Sequence, residues 1–452
     1  MVIDIRRRDV IGGAGALALA GIAPPAAATV PDDGYFLSKT NPVANVDQRD
    51  LEALAIRLFA RADVQAACTR AATSWEMVTS EIFSTEQWAR FKAAMSDYCF
   101  KSVLVATNVD AEHPRVLRVY SPAARWLGHD VPASKWGGDN PDNAYRIIPV
   151  AIGGRYEVRG QRQQAPSTYV SYQLVANSST SVTLGSLEQR AMVIASDGSF
   201  VLTIDETPAN GRPNHLQLKP GALYLFIRDS LADWSTEAPD ALRVRRLNPP
   251  SRPPMSDDEL AARAIQNIVS DVYYAYYAER LFLNAPPQAM TAPRFAGSAG
   301  GLVTQVGSLG NFSLAEDDAI VITTNAAGAS YRNIVLHDMW LRSLDYRDHQ
   351  NSLNSGQMAA DADGRFTCVI ALRDPGVHNW LDASGLHELL VLHRWQGLPS
   401  VPGDRPTIET RKVKLSALGS ALPRGVRMVT PAERARQLAV RRAGYDRRFI
   451  DS

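Results

Sequence analysis

The sequence predicts a mainly β protein with helical segments: two duplicated antiparallel β-sandwich units of jelly-roll type, each preceded by helices. Three observations predict it. Short apolar or alternating runs such as KSVLVAT, RYEVRG, TYVSYQLV, SFVLTID and ALYLFIRD are separated by Gly, Pro, Asn and Asp, the punctuation of strands and turns. Helical periodicity is confined to a few stretches outside those runs. Finally, the second half of the chain echoes the first. SDGSFVLTIDETP…NHLQLKPGALYLFIRDSLADW resembles ADGRFTCVIALRDPGVHNWLDASGLHELLVLHRWQG. Asp197-Gly198 matches Asp363-Gly364, Phe200 matches Phe366, Asn214 matches Asn379 and Arg228 matches Arg394, all 165 or 166 residues apart. A near-constant offset through turn, strand, loop and strand marks one β-unit written twice. In each copy Asp-Gly supplies a hairpin-type turn, where a positive φ suits Gly. The runs that follow supply inward-facing strands.

Residues 1–28 read as an export signal and stand apart from the fold. Arg6, Arg7 and Arg8 form a basic cluster, residues 10–23 a weakly apolar Gly/Ala stretch, and Ala26-Ala27-Ala28 an A-x-A cleavage site. Adjacent arginines before a core of modest hydrophobicity favour the twin-arginine route. The stretch is too short and too interrupted for a membrane helix, which needs about 20 apolar residues. The expectation is a periplasmic or secreted protein, partnered by the twin-arginine translocon during export and without a transmembrane anchor after cleavage.

The remaining elements follow in order. Residues 29–100 form an N-terminal helical region, in which Leu51, Leu54, Leu58 and Phe59 share one face. Ser84 and Gln87 have the spacing of a capping box for a helix that turns Trp88 and Phe91 to the core. The first sandwich occupies residues 101–248, and PPSRPP at 249–254 is a stiff linker. The linker and its helix span 249–290, with Ser256 and Glu259 as a capping box and Leu260, Ala264, Ile268 and Val272 on one face. The second sandwich spans 291–420, and a C-terminal helix with a basic tail spans 421–452. Thr430, Pro431 and Glu433 suit that helix's cap, first-turn and third positions. Its arginines 434, 436, 441, 442, 447 and 448 read as a solvated face.

Composition narrows the class. With 45% hydrophobic and 21% charged residues the chain is globular, and a net charge of +1 offers no field to attract nucleic acid. Three cysteines, Cys68, Cys99 and Cys368, are too few for a disulfide framework. Cys68 and Cys99 both fall in the helical region, where buried thiols are favoured over pairing after export. The sequence has no Cys/His pair with zinc spacing and no H-E-x-x-H, G-x-S-x-G or Walker motif, so neither metal nor cofactor is expected.

Three polar loops are the candidates for chemistry. GGDNPDNAYR offers Asn140, Tyr145 and Arg146 as ligand-binding groups; its plainer reading is an Asx-turn satisfying its own backbone. LDYRDHQNSLNSGQ offers Tyr346 as a catalytic group and Asn351, Asn354 and Gln357 as ligand-binding amides, which donate and accept together and suit a polyhydroxylated ligand. RDPGVHNWLD offers His378 and Asp382 for acid–base work, with Asn379 and Trp380 to bind and stack on a ring. The competing reading of that loop is structural, with its Trp filling the sandwich end and Asp374 paired with Arg394. The first unit's equivalent, NHL at 214–216, is plainer, so the site is expected in the second unit.

DNPDNAYR, IRDSLADW, YRDHQNSLNSGQ and DPGVHNWLDASG…LHRWQG, over about residues 137–397, resemble the uncharacterised bacterial family carrying domain of unknown function 1214. The resemblance implies a β-sandwich or jelly-roll fold and supplies no catalytic residues. The function expected is binding or turnover of a small organic ligand, of carbohydrate-like chemistry, at loops of the second unit. The alternative is a non-enzymatic envelope scaffold or interaction protein, because sandwiches host both roles.

Overall fold

In the computed structural model the described residues are 33–79, 83–176, 182–295, 302–399 and 403–449; residues 1–28, expected to be an export signal, lie outside them. The first helices are α1 (Val46–Phe59), α2 (Ala62–Thr79) and α3 (Thr85–Ala106). The first β-unit follows as β1 (Leu117–Val119), β2 (Ala124–Trp126), β3 (His129–Val131), β4 (Asn143–Pro149), β5 (Tyr156–Gln161) and β6 (Tyr169–Val175). It continues through β7 (Thr183–Glu188), β8 (Ser199–Asp205), β9 (His215–Gln217), β10 (Tyr224–Ser230) and β11 (Ala241–Arg246). Helix α4 (Asp257–Leu283) leads to β12 (Arg294–Phe295), β13 (Val306–Ser313), β14 (Asp318–Thr324), β15 (Tyr331–His337) and β16 (Ser352–Asn354). Then come β17 (Phe366–Ala371), β18 (Trp380–Asp382), β19 (Glu388–Gln396), β20 (Ile408–Lys414), α5 (Leu418–Ala421) and α6 (Pro431–Phe449).

The first unit pairs a five-stranded sheet, β1-β4-β10-β6-β7, with a four-stranded one, β11-β5-β8-β9. The second has β12-β13-β19-β15-β16 and β18-β17-β14-β20. Counted along the chain, each strand of these sheets has a counterpart at the same sheet position in the other unit. Only the β2–β3 ribbon of the first unit stands outside that match. The expectation of wholly antiparallel sheets fails at one equivalent place in each unit: β8–β9 and β17–β18 run parallel. A loop, not a tight hairpin, joins each pair and returns the chain to the end where it started. The matched asparagines hold these loops. Asn214 accepts from Val193 N (2.8 Å) and donates to Val193 O (2.7 Å), and Asn379 does the same to Ala359 (2.8 and 2.8 Å).

Strand alternation decides what each face meets. In β10, Leu225 and Ile227 fill the first sandwich, whereas Phe226 and Arg228 face the other way. In β19, Leu389 and Val391 fill the second sandwich, whereas Leu390, Leu392 and Arg394 face outward. Those outer faces and the helices share one core, in which Val103 of α3, Ile268 of α4, Phe226, Leu390 and Trp340 belong to a single apolar cluster. The helices expected to precede each unit separately therefore form one layer serving both. Trp88 and Phe91 of α3 stack on Trp340 of the second unit, with ring centroids 5.2 and 4.8 Å apart. Cys68 and Cys99 are free thiols in hydrogen-bonding contact between α2 and α3. No helix among the described residues is long and apolar enough to cross a membrane.

The caps divide. Ser256 and Glu259 form the expected box on α4, and Thr430 with Glu433 forms one on α6. Ser84 does sit at the start of α3, but its hydroxyl donates to the Glu388 carboxylate, and Gln87 Nε2 donates to Glu388 O (3.1 Å). The start of β19 lies within reach, and a charge-assisted bond outcompetes a neutral cap.

The C-terminal helix departs in part from the expected solvated face: Arg436 and Arg442 are exposed, but the other side is not. Arg434, Arg441 and Arg448, spaced by seven, share one side of α6 and are all buried. Arg441 donates to Tyr346 O (2.6 Å) and Ser352 O (3.0 Å), and Arg448 to Pro141 O (2.9 Å). The helix thus fastens both units together. A run of backbone carbonyls left over at loop ends is what a buried guanidinium, with five donors, satisfies.

Candidate functional site

The DNPDN loop of the first unit plugs into the second. Asp142 sits at its centre, fully buried, and its carboxylate accepts from Trp234 Nε1 (2.8 Å) and Asn354 Nδ2 (2.8 Å) on Oδ1. Tyr331 OH (2.5 Å) and Asn333 Nδ2 (3.1 Å) donate to Oδ2. Asn140 belongs to the same network: Asn333 donates to its Oδ1 (2.6 Å), and its own amide donates to Tyr331 OH (2.9 Å). Asp139 accepts from Ser343 N (2.8 Å) and Ser343 Oγ (2.5 Å), and His337 Nε2 meets Asp139 O at 2.9 Å. Asn140 and Asn354, expected to hold a ligand, instead hold the two units to each other.

Tyr145 and Arg146 part company, because neighbours on a strand point to opposite faces. Tyr145 faces the space between the units, but Arg146 turns into the first sandwich. There it pairs with Asp229 (2.6 Å) and donates to Asp240 O (2.5 Å). Tyr346 is buried among the rings of Trp234, Tyr445 and Phe449, and that burial drives its hydroxyl pKa well up. Asn351 donates to Asp345 O (2.7 Å) and braces its own loop. Asn379 is spent on the Ala359 clamp. Trp380 Nε1 donates to Ala371 O (3.1 Å), and the ring lies under the Arg434 guanidinium, 5.1 Å from its centroid.

The expected acid–base pair does not form. Asp382 ends the extended segment β18, which carries its carboxylate away from His378, and the histidine that meets it is His349 (Nδ1 to Oδ2, 2.7 Å). His378 receives a bond from Gln437 Nε2 at Nδ1 (2.9 Å), and its Nε2 lies 3.2 Å from Gln357 O. One neutral tautomer satisfies both contacts, and burial lowers its pKa, so the ring is held uncharged. His378 and Gln357 border an open groove of about 530 Å³ that also takes in Trp234, Gln350, Gln437 and Arg441.

Nor does Asp374 reach Arg394. Asp374 pairs with Arg434 of α6 (2.9 Å), a residue that also donates to His378 O (3.3 Å). Asp374→Ala is expected to cost about 1–3 kcal/mol, because the pair is partly exposed and Arg434 keeps its carbonyl acceptors. Urea denaturation checks it; a loss of about 4 kcal/mol or more would mean the pair behaves as fully buried.

Arg394 faces a second space, a cavity of about 160 Å³ between β10, β19, α4 and residues 136–139. Part of its wall is aromatic. The rings of Tyr120 and Tyr145 are 5.5 Å apart, those of Tyr145 and Phe226 5.8 Å, and those of Trp136 and Tyr274 5.6 Å. Tyr120 takes a left-handed backbone (φ 58°), uncommon for a bulky residue. The polar groups lining it are Arg228, Arg394, Gln305, Gln396, Asn143 and Asp139. In the sequence reading Arg228 and Arg394 were matched positions of the repeat, with Arg394 also an expected partner of Asp374, and neither was a ligand-binding candidate. A cation at the same place in two apolar strands, YLFIRDS and LVLHRWQ, was the signal that marked them.

These features define a protein of two linked β-sandwich units with a ligand-sized cavity between them. Among solved structures the chain is similar to an uncharacterized protein from Burkholderia cenocepacia, with 25% identity and a TM-score of 0.66. That match covers 80% of this chain and 99% of the other. A protein from Vibrio parahaemolyticus matches at 11% identity and a TM-score of 0.35, covering 61% of this chain and 90% of that one. No family model and no curated protein matches the chain.

Proposed function

We propose that this protein binds a small organic ligand in the cavity between its two β-units. The supporting observation is the cavity's lining: aromatic rings with a few convergent polar groups drawn from both units, the usual make-up of a ligand site. A thermal-shift screen of small organic molecules against the wild type and Leu392→Trp tests it. Leu392 lines the cavity, and the larger ring fills it. Stabilisation that disappears in Leu392→Trp is the expected result. Stabilisation that persists would move the site to the wider groove beside His378, whose amides suit a polyhydroxylated ligand. No stabilisation by any compound would favour the scaffold reading.

The same proposal takes residues 1–28 as a twin-arginine signal, the site of action as periplasmic or extracellular, and the chain as a member of the domain of unknown function 1214 family. The RRRDVIGG stretch supports the first of these. Changing Arg6, Arg7 and Arg8 together to Lys should leave the precursor in the cytoplasm, read by cell fractionation. Processing at the normal rate would refute the twin-arginine route.

A further inference from the structure

Two arginines without an acidic partner face one cavity. Arg228 of β10 and Arg394 of β19 are equivalent residues of the two units, and both are buried side chains on the cavity wall. Arg146 and Arg434 pair with carboxylates; Arg228 and Arg394, like the buried Arg118, Arg332, Arg441 and Arg448, have no ion pair among the described residues, but these two line the cavity. Arg228 donates to the amide oxygen of Gln173 and lies 4.1 Å from the Phe226 ring centroid. Arg394 donates through Nη2 to Gly138 O, while its buried Nη1 has no hydrogen-bond partner among the described residues. A buried cation with an unmet donor is costly unless something supplies the missing charge and acceptor.

Asp139 is the only carboxylate among the described residues lining the cavity, and both its oxygens are taken by Ser343. Two guanidinium groups against one carboxylate leave a surplus of one positive charge. A monoanion balances that surplus, whereas a phosphate group, at about −1.5 to −2, overshoots it. Guanidinium forks match the planar geometry of a carboxylate. Tyr120, Trp136, Tyr145, Phe226, Tyr274, Leu302 and Leu392 supply apolar surface beside these groups, which suits an organic body. A cavity of about 150 Å³ is known to hold benzene, so about 160 Å³ suits a short aliphatic or single-ring acid.

We infer that the ligand is a small monocarboxylate, its carboxylate held by Arg228 and Arg394 and its body set against Tyr120, Trp136 and Tyr145. The inference rests on the cavity being the binding site, and the test separates the two. Acetate, propionate and benzoate are each compared with their neutral amides, and with inorganic phosphate, by calorimetry and thermal shift. At least one carboxylate should bind ten or more times more tightly than its amide and raise the melting temperature, with phosphate giving no shift. Arg228→Met and Arg394→Met should each weaken that carboxylate at least tenfold.

Stability supplies an independent readout. Ligand-free Arg394→Met should melt at or above the wild-type temperature, because it removes an uncompensated buried charge. A marked fall would identify Arg394 as a structural residue and overturn the inference. Should either Met variant not fold, Arg228→Gln and Arg394→Gln, which keep a donor and lose the charge, take its place. Amides binding as well as their acids would overturn the carboxylate class while leaving the cavity reading intact. So would carboxylate binding that survives loss of either arginine. If no compound of either charge binds, both readings fall together.

Discussion

Asp142→Asn is expected to destabilise the protein by about 3 kcal/mol or more, nearly as much as Asp142→Ala, although asparagine has the shape of aspartate. All four hydrogen bonds to this carboxylate come from donors: Trp234 Nε1, Asn354 Nδ2, Tyr331 OH and Asn333 Nδ2. An amide in its place sets two N–H groups against donors, and each buried donor left without an acceptor costs about 1–3 kcal/mol. Because these donors come from both β-units, the loss loosens their junction as well as the loop. Equilibrium urea unfolding of both variants measures it. A cost below about 1 kcal/mol for Asp142→Asn, the size of one ordinary hydrogen bond, would show that the network rearranges around the amide.

The second large effect is in acid. His393 is fully buried in the second unit, its ring 3.9 Å from that of Trp395, and neither ring nitrogen has a hydrogen-bond partner among the described residues. Burial, reinforced by Arg332 and Arg394, lowers its pKa to about 3; burial likewise takes His337 to about 4. A folded-state pKa below the unfolded value of about 6.5 means that the unfolded chain binds the extra proton first. The stability at stake is complete above about pH 6.5 and drains away as pH falls toward 4 and 3. For His393 the whole effect is on the order of 5 kcal/mol, with a slope of about 1.4 kcal/mol per pH unit.

Glu52, pushed up to about 7 by burial, works in the opposite sense between about pH 4.5 and 7, so the wild-type curve is a sum. The difference between wild type and His393→Phe isolates the histidine. The variant, which keeps a ring against Trp395, should gain on the wild type steadily from about pH 6 to about pH 4. Parallel stability curves over that range would mean that His393 protonates in the folded protein without cost.

The sequence by itself determined the class and most of the layout. Alternation and turn residues marked most of the strands, because a half-buried strand must show period two; KSVLVAT, read as a strand, instead ends α3, where a helix turn buried all round shows the same apolar run. The constant offset between Arg228 and Arg394 located two units whose strand orders coincide. Capping boxes at Ser256 and Thr430 were legible because both partners lie within four residues of each other. Ser84 was misread because its partner, Glu388, lies 304 residues away. The same limit governed the polar loops. DNPDN, NSLNSGQ and VHNWLD looked rich enough to bind a ligand, yet most of their side chains bind one another across the junction or brace their own backbone.

Only the tertiary structure decided which polar residues are spent and which face open space. It turned Arg434, Arg441 and Arg448 inward, although their spacing of seven already placed them on one helix face. It also brought Arg228 and Arg394 from separate units to one cavity. Local chemistry sets what a residue can do, but a hydrogen bond has no memory of sequence distance. Satisfaction of buried donors and acceptors is settled only when distant segments meet.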